Sequence, residues 1–171
     1  MPLSFGFTEA YITDHWQTIQ AGADSTGREA KRSEWRLVRD VIVAKTDEEA
    51  QLLARSEPMM RTLNELWLPR VRARGMLPLF KHEHCIPDEA VDAEYYIRHH
   101  WFVGSVDTVA EKIVGLDELS GGFGTLLISA FDCSENPKPW RESLCMLAQE
   151  VLPRVNADRK STRLNSSHRS I

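Results

Sequence analysis

The segment from Val106 to Asp132, VDTVAEKIVGLDELSGGFGTLLISAFD, restricts the fold more than any other part of the chain. Val106, Val109, Ala110, Ile113 and Leu116 recur at three- and four-residue spacing and so share one face of a helix. Ser105 in front of them is a good N-cap. Gly121 and Gly122 then supply the left-handed backbone that ends a helix. TLLISAF follows, an apolar run of strand length. A helix turned tightly into a buried strand is one unit of a parallel α/β sheet. Chain order also settles the role of the glycines. A phosphate-cradling loop follows a strand and opens a helix, where free amides face the ligand. Here the helix comes before Gly121 and the strand after Gly124, so GGFG is a structural turn on the face away from an active site.

Similar units stand upstream. MPLSFGF is a short apolar run, and Thr8 caps a helix that fades at Gly22 and Gly27. RLVRDVIVA, Arg36 to Ala44, is Val/Ile-rich and of strand length. It runs into TDEE, a capping box in which Thr46 caps and Glu49 reaches back. That helix extends to Arg55, Pro58 interrupts it, and a helical pattern resumes up to Pro69. Residues 75–100 are an excursion with two prolines, four of the six histidines and a short helix predicted over Asp88 to Ile97. After DCSENPKP, the helix WRESLCMLAQEVLPRV closes the core. The order β-α-β-α-insert-α-β-α predicts a parallel sheet buried on both faces.

At 171 residues the chain is one domain or part of a larger one. A formal charge of -4 argues against a nucleic-acid-binding face. No apolar run is long enough to span a bilayer, which argues against a membrane protein. Three widely spaced cysteines suit reduced thiols, so a cytoplasmic location is expected. The composition changes at Asp158. DRKSTRLNSSHRSI lacks aromatic residues and carries four of the 21 Lys and Arg but one of the 25 Asp and Glu. It reads like a translated sequencing adapter, an assembly artefact set aside from fold reasoning, and is expected to be disordered.

Three segments in order, WRLVRDVIVAKTDEEAQLLA, HWFVGSVDTVAEKIVGLDELSGGFGTLLISAFD and SLCMLAQEVLPRV, resemble the C-terminal part of the bacterial luciferase-like flavin monooxygenases. The family pattern Gly-Thr/Ser-Pro-x-x-Val-Ala reads here Gly104-Ser105-Val106-Asp107-Thr108-Val109-Ala110, with Val106 in place of proline. Proline there only preforms the first helical turn. The resemblance implies an α/β fold, about the last three β/α units of a TIM-type (β/α)8 barrel, over residues 1–157. MPLSFGF would be about the sixth strand, RLVRDVIVA the seventh and TLLISAF the eighth, with residues 75–100 as a mobile lid and 158–171 as a tail. It further implies reduced FMN supplied by a separate flavin reductase, O2, and an aldehyde or other small organic substrate held in a dry pocket. An F420-linked oxidoreductase of the same barrel type is an alternative. So is a non-catalytic half-barrel that pairs with another chain, possible as a homodimer. The family's catalytic histidine falls in the half of the barrel that this chain lacks, so the chain is expected to be an incomplete enzyme, inactive alone, and no residue in it is assigned to catalysis.

Active sites of such barrels lie at the C-terminal ends of strands. By that position Ser4 is a candidate flavin contact, and Gly6 would allow a close approach; a buried serine and a strand-end turn are the plainer readings. His82, His84, His99, His100 and Trp101 are substrate-pocket candidates in or beside the excursion. Asp132, after the last strand, could touch a ligand or cap a loop. His82-Glu83-His84-Cys85 matches no established metal spacing, and no metal site is expected.

Overall fold

The computed structural model describes the backbone of residues 1–6 and 8–167, and side chains among them as far as Arg159. Strand β1 (Leu3–Ser4) leads to helix α1 (Glu9–Asp24). Strands β2 (Arg36–Arg39) and β3 (Val41–Val43) precede helix α2 (Asp47–Ala54). Helix α3 (Glu57–Arg61) passes through a wide π turn (Thr62–Trp67) into α4 (Leu68–Ala73). The excursion holds two 3-10 turns (Leu77–Phe80 and Asp88–Ala90) and helix α5 (Ala93–His100). Then come β4 (Phe102–Gly104), α6 (Val106–Ser120), β5 (Thr125–Ile128), α7 (Pro137–Met146), a second π turn (Leu147–Val151) and α8 (Leu152–Ser167).

All strand pairs are parallel. β2 lies between β1 and β5, and β3 pairs with β4. The three N-caps read from sequence form: Thr8 accepts from Tyr11 N, Thr46 from Glu49 N, and Ser105 from Thr108 N. Gly121 ends α6 at φ 67°, and Gly122 N donates to Asp117 O. GGFG is therefore a helix stop, as its place in the chain predicted.

Several details differ from expectation. RLVRDVIVA is not one strand but two, broken at Asp40 and shared between two sheets. FVG, not among the expected strands, is strand β4; three residues are too few to show a period. Pro58 does not interrupt a helix but opens one, where its missing N–H is harmless. Pro69 sits inside the helical run rather than at its end. The preceding π turn absorbs the clash of its ring with the carbonyl four residues back. The excursion's helix starts at Ala93, capped by Asp92, not at Asp88. Burial on both faces fails at β5. Leu126 and Ile128 pack toward the helices, but Leu127 on the other face is 36% exposed. Past the composition change at Asp158, the backbone of 158–167 continues α8. Extending a helix already nucleated is far easier than starting one, and Arg159 anchors it on Asp117 at 2.7 Å. Residues 168–171 lie outside the described residues, as does Phe7 in the predicted first strand.

Three apolar clusters hold these elements. One joins Ile42 and Val103 to the helices and turns from Ala50 to Trp101. A second packs Val41 and Val43 against α6, the second π turn and α8 through Val109, Ile113, Val151 and Val155. The third joins Trp35 and Leu37 to Ile12, Trp16 and Leu116. Side chains alternate across a strand, so Arg39 follows Leu37 onto the side that faces α1 and α6. Leu3, Val38 and Leu127 point the other way and belong to none of the three clusters.

Candidate functional site

A cavity of about 840 Å³ lies on the helix side of the sheet, between α1, α6 and the excursion. That volume is in the range of small-molecule sites. Its floor is Arg39 and Phe102, with the guanidinium 5.6 Å from the ring centroid. Tyr11, Leu79 and Leu116 form its walls. His82, His84, His99 and His100 all line it, so the structure brings together the four histidines singled out in sequence.

Their environments differ. His100 is buried, and its Nε2–H donates to Phe80 O at 2.7 Å. Burial holds it down to about 4, so it is neutral at ordinary pH, and a backbone carbonyl can only accept, which places its proton on Nε2. His82 and His99 stack with centroids 4.2 Å apart at 21°. The Tyr95 hydroxyl accepts from His82 N at 3.0 Å and lies within hydrogen-bond distance of His82 Nδ1 at 2.6 Å. Burial also lowers His99, helped by His82 and Arg98.

Arg39 is buried in a strand, a position that sequence reasoning passed over although charged Arg-Asp inside an apolar run was its signal. Burial pulls it down to about 10, and Asp40 pulls it back up. Asp40 sits at the break between β2 and β3, its carbonyl accepting from Phe102 N at 2.9 Å. Burial raises its carboxyl to about 6, against the opposing pull of Ser129, Arg39 and Trp101. On the cavity's α6 side, Lys112 Nζ donates to Val103 O at 2.9 Å, and burial lowers it.

The other candidates are placed elsewhere. Ser4 is buried on the α1 side. Trp35 Nε1 donates to its Oγ at 2.8 Å, and its hydroxyl reaches His15 Nδ1 at 2.6 Å. Gly6 faces Arg39: a Cβ there would stand 2.9 Å from Nη1 and 3.2 Å from Val38 O, so the guanidinium already takes the space. Trp101 is core, packed on Phe131 at 5.1 Å with Trp140 beyond, and does not line the cavity. Asp132 is exposed and closes a local turn, accepting from Ser134 N at 3.2 Å and Ser134 Oγ at 2.8 Å. Those two bonds lower its carboxyl. Among the described residues, no three His, Cys, Asp or Glu side chains converge on a metal position. No described helix is long and apolar enough to cross a membrane.

No protein-family profile matches the chain. Known proteins do. The chain is 33% identical over 156 residues to 2,5-diketocamphane 1,2-monooxygenase 2 of Pseudomonas putida, across 90% of this chain and 43% of that protein. It is 33% identical over 141 residues to the 3,6-diketocamphane 1,6-monooxygenase of the same organism. The fold superposes at TM-score 0.81 and 32% identity on a type II Baeyer-Villiger monooxygenase. That protein is the oxygenating constituent of 3,6-diketocamphane monooxygenase from Pseudomonas putida, solved with FMN. Over 90% of its length the chain is similar to part of the diketocamphane monooxygenases. It spans about two fifths of the length of the relatives it matches, 43% and 37% of the two sequences and 42% of the solved structure. The superposition on the FMN-containing structure covers 90% of this chain.

Proposed function

We propose that the protein is an FMN-dependent monooxygenase that inserts oxygen from O2 into a small cyclic ketone, taking reduced flavin from a separate reductase. The observation that carries this reading is the superposition at TM-score 0.81 on the FMN-containing Baeyer-Villiger enzyme, combined with 32% identity. β1, β2 with β3, and β5 would be the sixth, seventh and eighth strands of the barrel, and residues 75–100 its lid. Reduced FMN supplies the two electrons that activate O2.

The described residues suit such a cofactor only in part. Ser4 and Gly6 are committed to His15, Trp35 and Arg39 rather than open to a ligand. The sheet face opposite the helices offers Phe5, 46% exposed, and Leu127 as flat apolar surface for a ring system. Arg39 and Lys112, the kind of groups that hold a phosphate, lie on the helix side. No chemical step is therefore assigned to a side chain of this chain.

The test joins this chain to the N-terminal three fifths of the 3,6-diketocamphane enzyme and supplies FMN, NADH, a flavin reductase and a cyclic diketone. Lactone from the chimera, with none from this chain alone, is the expected result. A soluble chimera that binds FMN but makes no lactone refutes the monooxygenase reading. A non-catalytic half-barrel that pairs with a second copy is the second reading, favoured by the exposed Phe5 and Leu127 and by the outer positions of β1 and β5 in their sheet. A stable dimer by size-exclusion light scattering, together with an inactive chimera, would select it.

A further inference from the structure

The histidines at the cavity rim do not all share one purpose. His100 is internal and fastened to Phe80 O, whereas His82 and His99 are exposed and touch face to face from two separate segments. Both lie in the excursion, His82 in the loop after its first 3-10 turn and His99 in α5. Tyr95, one helical turn before His99, stacks on both, 5.5 Å from His82 and 4.4 Å from His99. Its hydroxyl grips His82 at both the backbone N and Nδ1. We propose that the stacked His82–His99 pair, pinned by Tyr95, is a pH-sensitive latch that holds residues 81–90 against α5 at the cavity rim and releases them in acid.

Neutral imidazoles stack readily, but two imidazolium rings at this separation repel. The charges around the pair do not offset that repulsion. On α5, Arg98 adds a cation beside His99, and Glu94 is engaged by Arg55 at 2.7 Å. On the loop that carries His82, Asp88 is taken by Lys81, Glu83 accepts from Cys85, and His84 lines the same cavity. Across the cavity, Arg39 of β2 and Lys112 of α6 face Glu9 and Asp14 of α1. The lowered His99 gives the sign: the closed contact resists protonation, so it is firm above the ordinary imidazole range and weakens as the pH falls through it. Two unit charges about 4 Å apart near a surface are enough to change the opening equilibrium by about fivefold to tenfold or more.

The latch stands on ring geometry and not on the monooxygenase reading, so the two fail separately. Hydrogen exchange by mass spectrometry on the whole chain at pH 7.5 and 5.5, corrected for intrinsic exchange rates, tests it. Protection of the peptide covering 81–92 should fall about fivefold or more at pH 5.5 while a peptide within α6 keeps its protection. His99→Phe keeps a ring in the stack without a charge and should show equal protection at both pH values. Tyr95→Phe should lower protection at both. Equal protection in the unmodified chain at the two pH values, an undiminished drop in His99→Phe, or a parallel loss in α6 would each overturn the proposal.

Discussion

Ser4→Ala separates two accounts of the first strand. Ser4 Oγ receives the indole N–H of Trp35 at 2.8 Å and contacts His15 Nδ1 at 2.6 Å. Trp35 is fully buried at 0% exposure, so alanine at position 4 strands its N–H with no access to water. An orphaned buried donor costs about 1–3 kcal/mol, and His15, half-exposed, recovers most of its loss from solvent. The expected destabilisation is about 2–3 kcal/mol, a large share of the roughly 5–15 kcal/mol that a domain possesses. Urea unfolding followed by circular dichroism reads it as a lower midpoint at constant slope. With Trp35→Phe as background no indole N–H remains, so the cost of the same Ser4→Ala change should fall by at least about 1 kcal/mol. A Ser4→Ala protein within about 0.5 kcal/mol of the parent would refute the reasoning. If flavin affinity of the chimera fell while stability held, Ser4 would be the cofactor contact that its strand-end position suggested.

Three further outcomes follow from the same geometry. His100 is held down to about 4 against an unfolded value near 6.5, so the unfolded chain binds its proton first; stability should decline by about 3 kcal/mol as pH falls through that window, and His100→Gln should flatten the decline in denaturation series taken across it. Asp40 has the opposite sign: its carboxyl is raised to about 6, so its favourable contribution is present below about 4 and lost as pH rises past 6. Asp40→Asn should therefore raise the urea midpoint at pH 7.5, by about 1–2 kcal/mol in stability, and no gain would show that the carboxyl is not buried as described. Gly124→Ala should cost about 3 kcal/mol or more, because a Cβ would collide with the Ser33 carbonyl group and meet its Cα at 3.2 Å; a thermal midpoint within 2 °C of the parent would contradict that packing.

The helix starts at Thr8, Thr46 and Ser105 and the stop at Gly121 were legible in sequence, because each depends on a side chain and amides two or three residues away. The parallel α/β class was legible for a similar reason: periodicity is a property of one segment at a time. The four cavity histidines could be named because they cluster in one excursion. Their separate roles could not, since His100 meets Phe80 and His82 meets His99 only after the chain has folded back. Arg39 was missed because burying a charge is unfavourable in any local account, and only Asp40, Phe102 and the space above Gly6 make it tolerable.

What the amino-acid sequence determined by itself was the set of units: which stretches become helices, where they begin and end, and that the strands between them run parallel. What only the tertiary structure decided was which side of the sheet each residue serves. Ser4, Gly6 and Arg39 face the helices, while Leu3, Val38 and Leu127 face away. A strand offers two equivalent faces, and a shift of one residue exchanges them. The choice is made by long-range packing, here Leu37 and Trp35 against Ile12, Trp16 and Leu116.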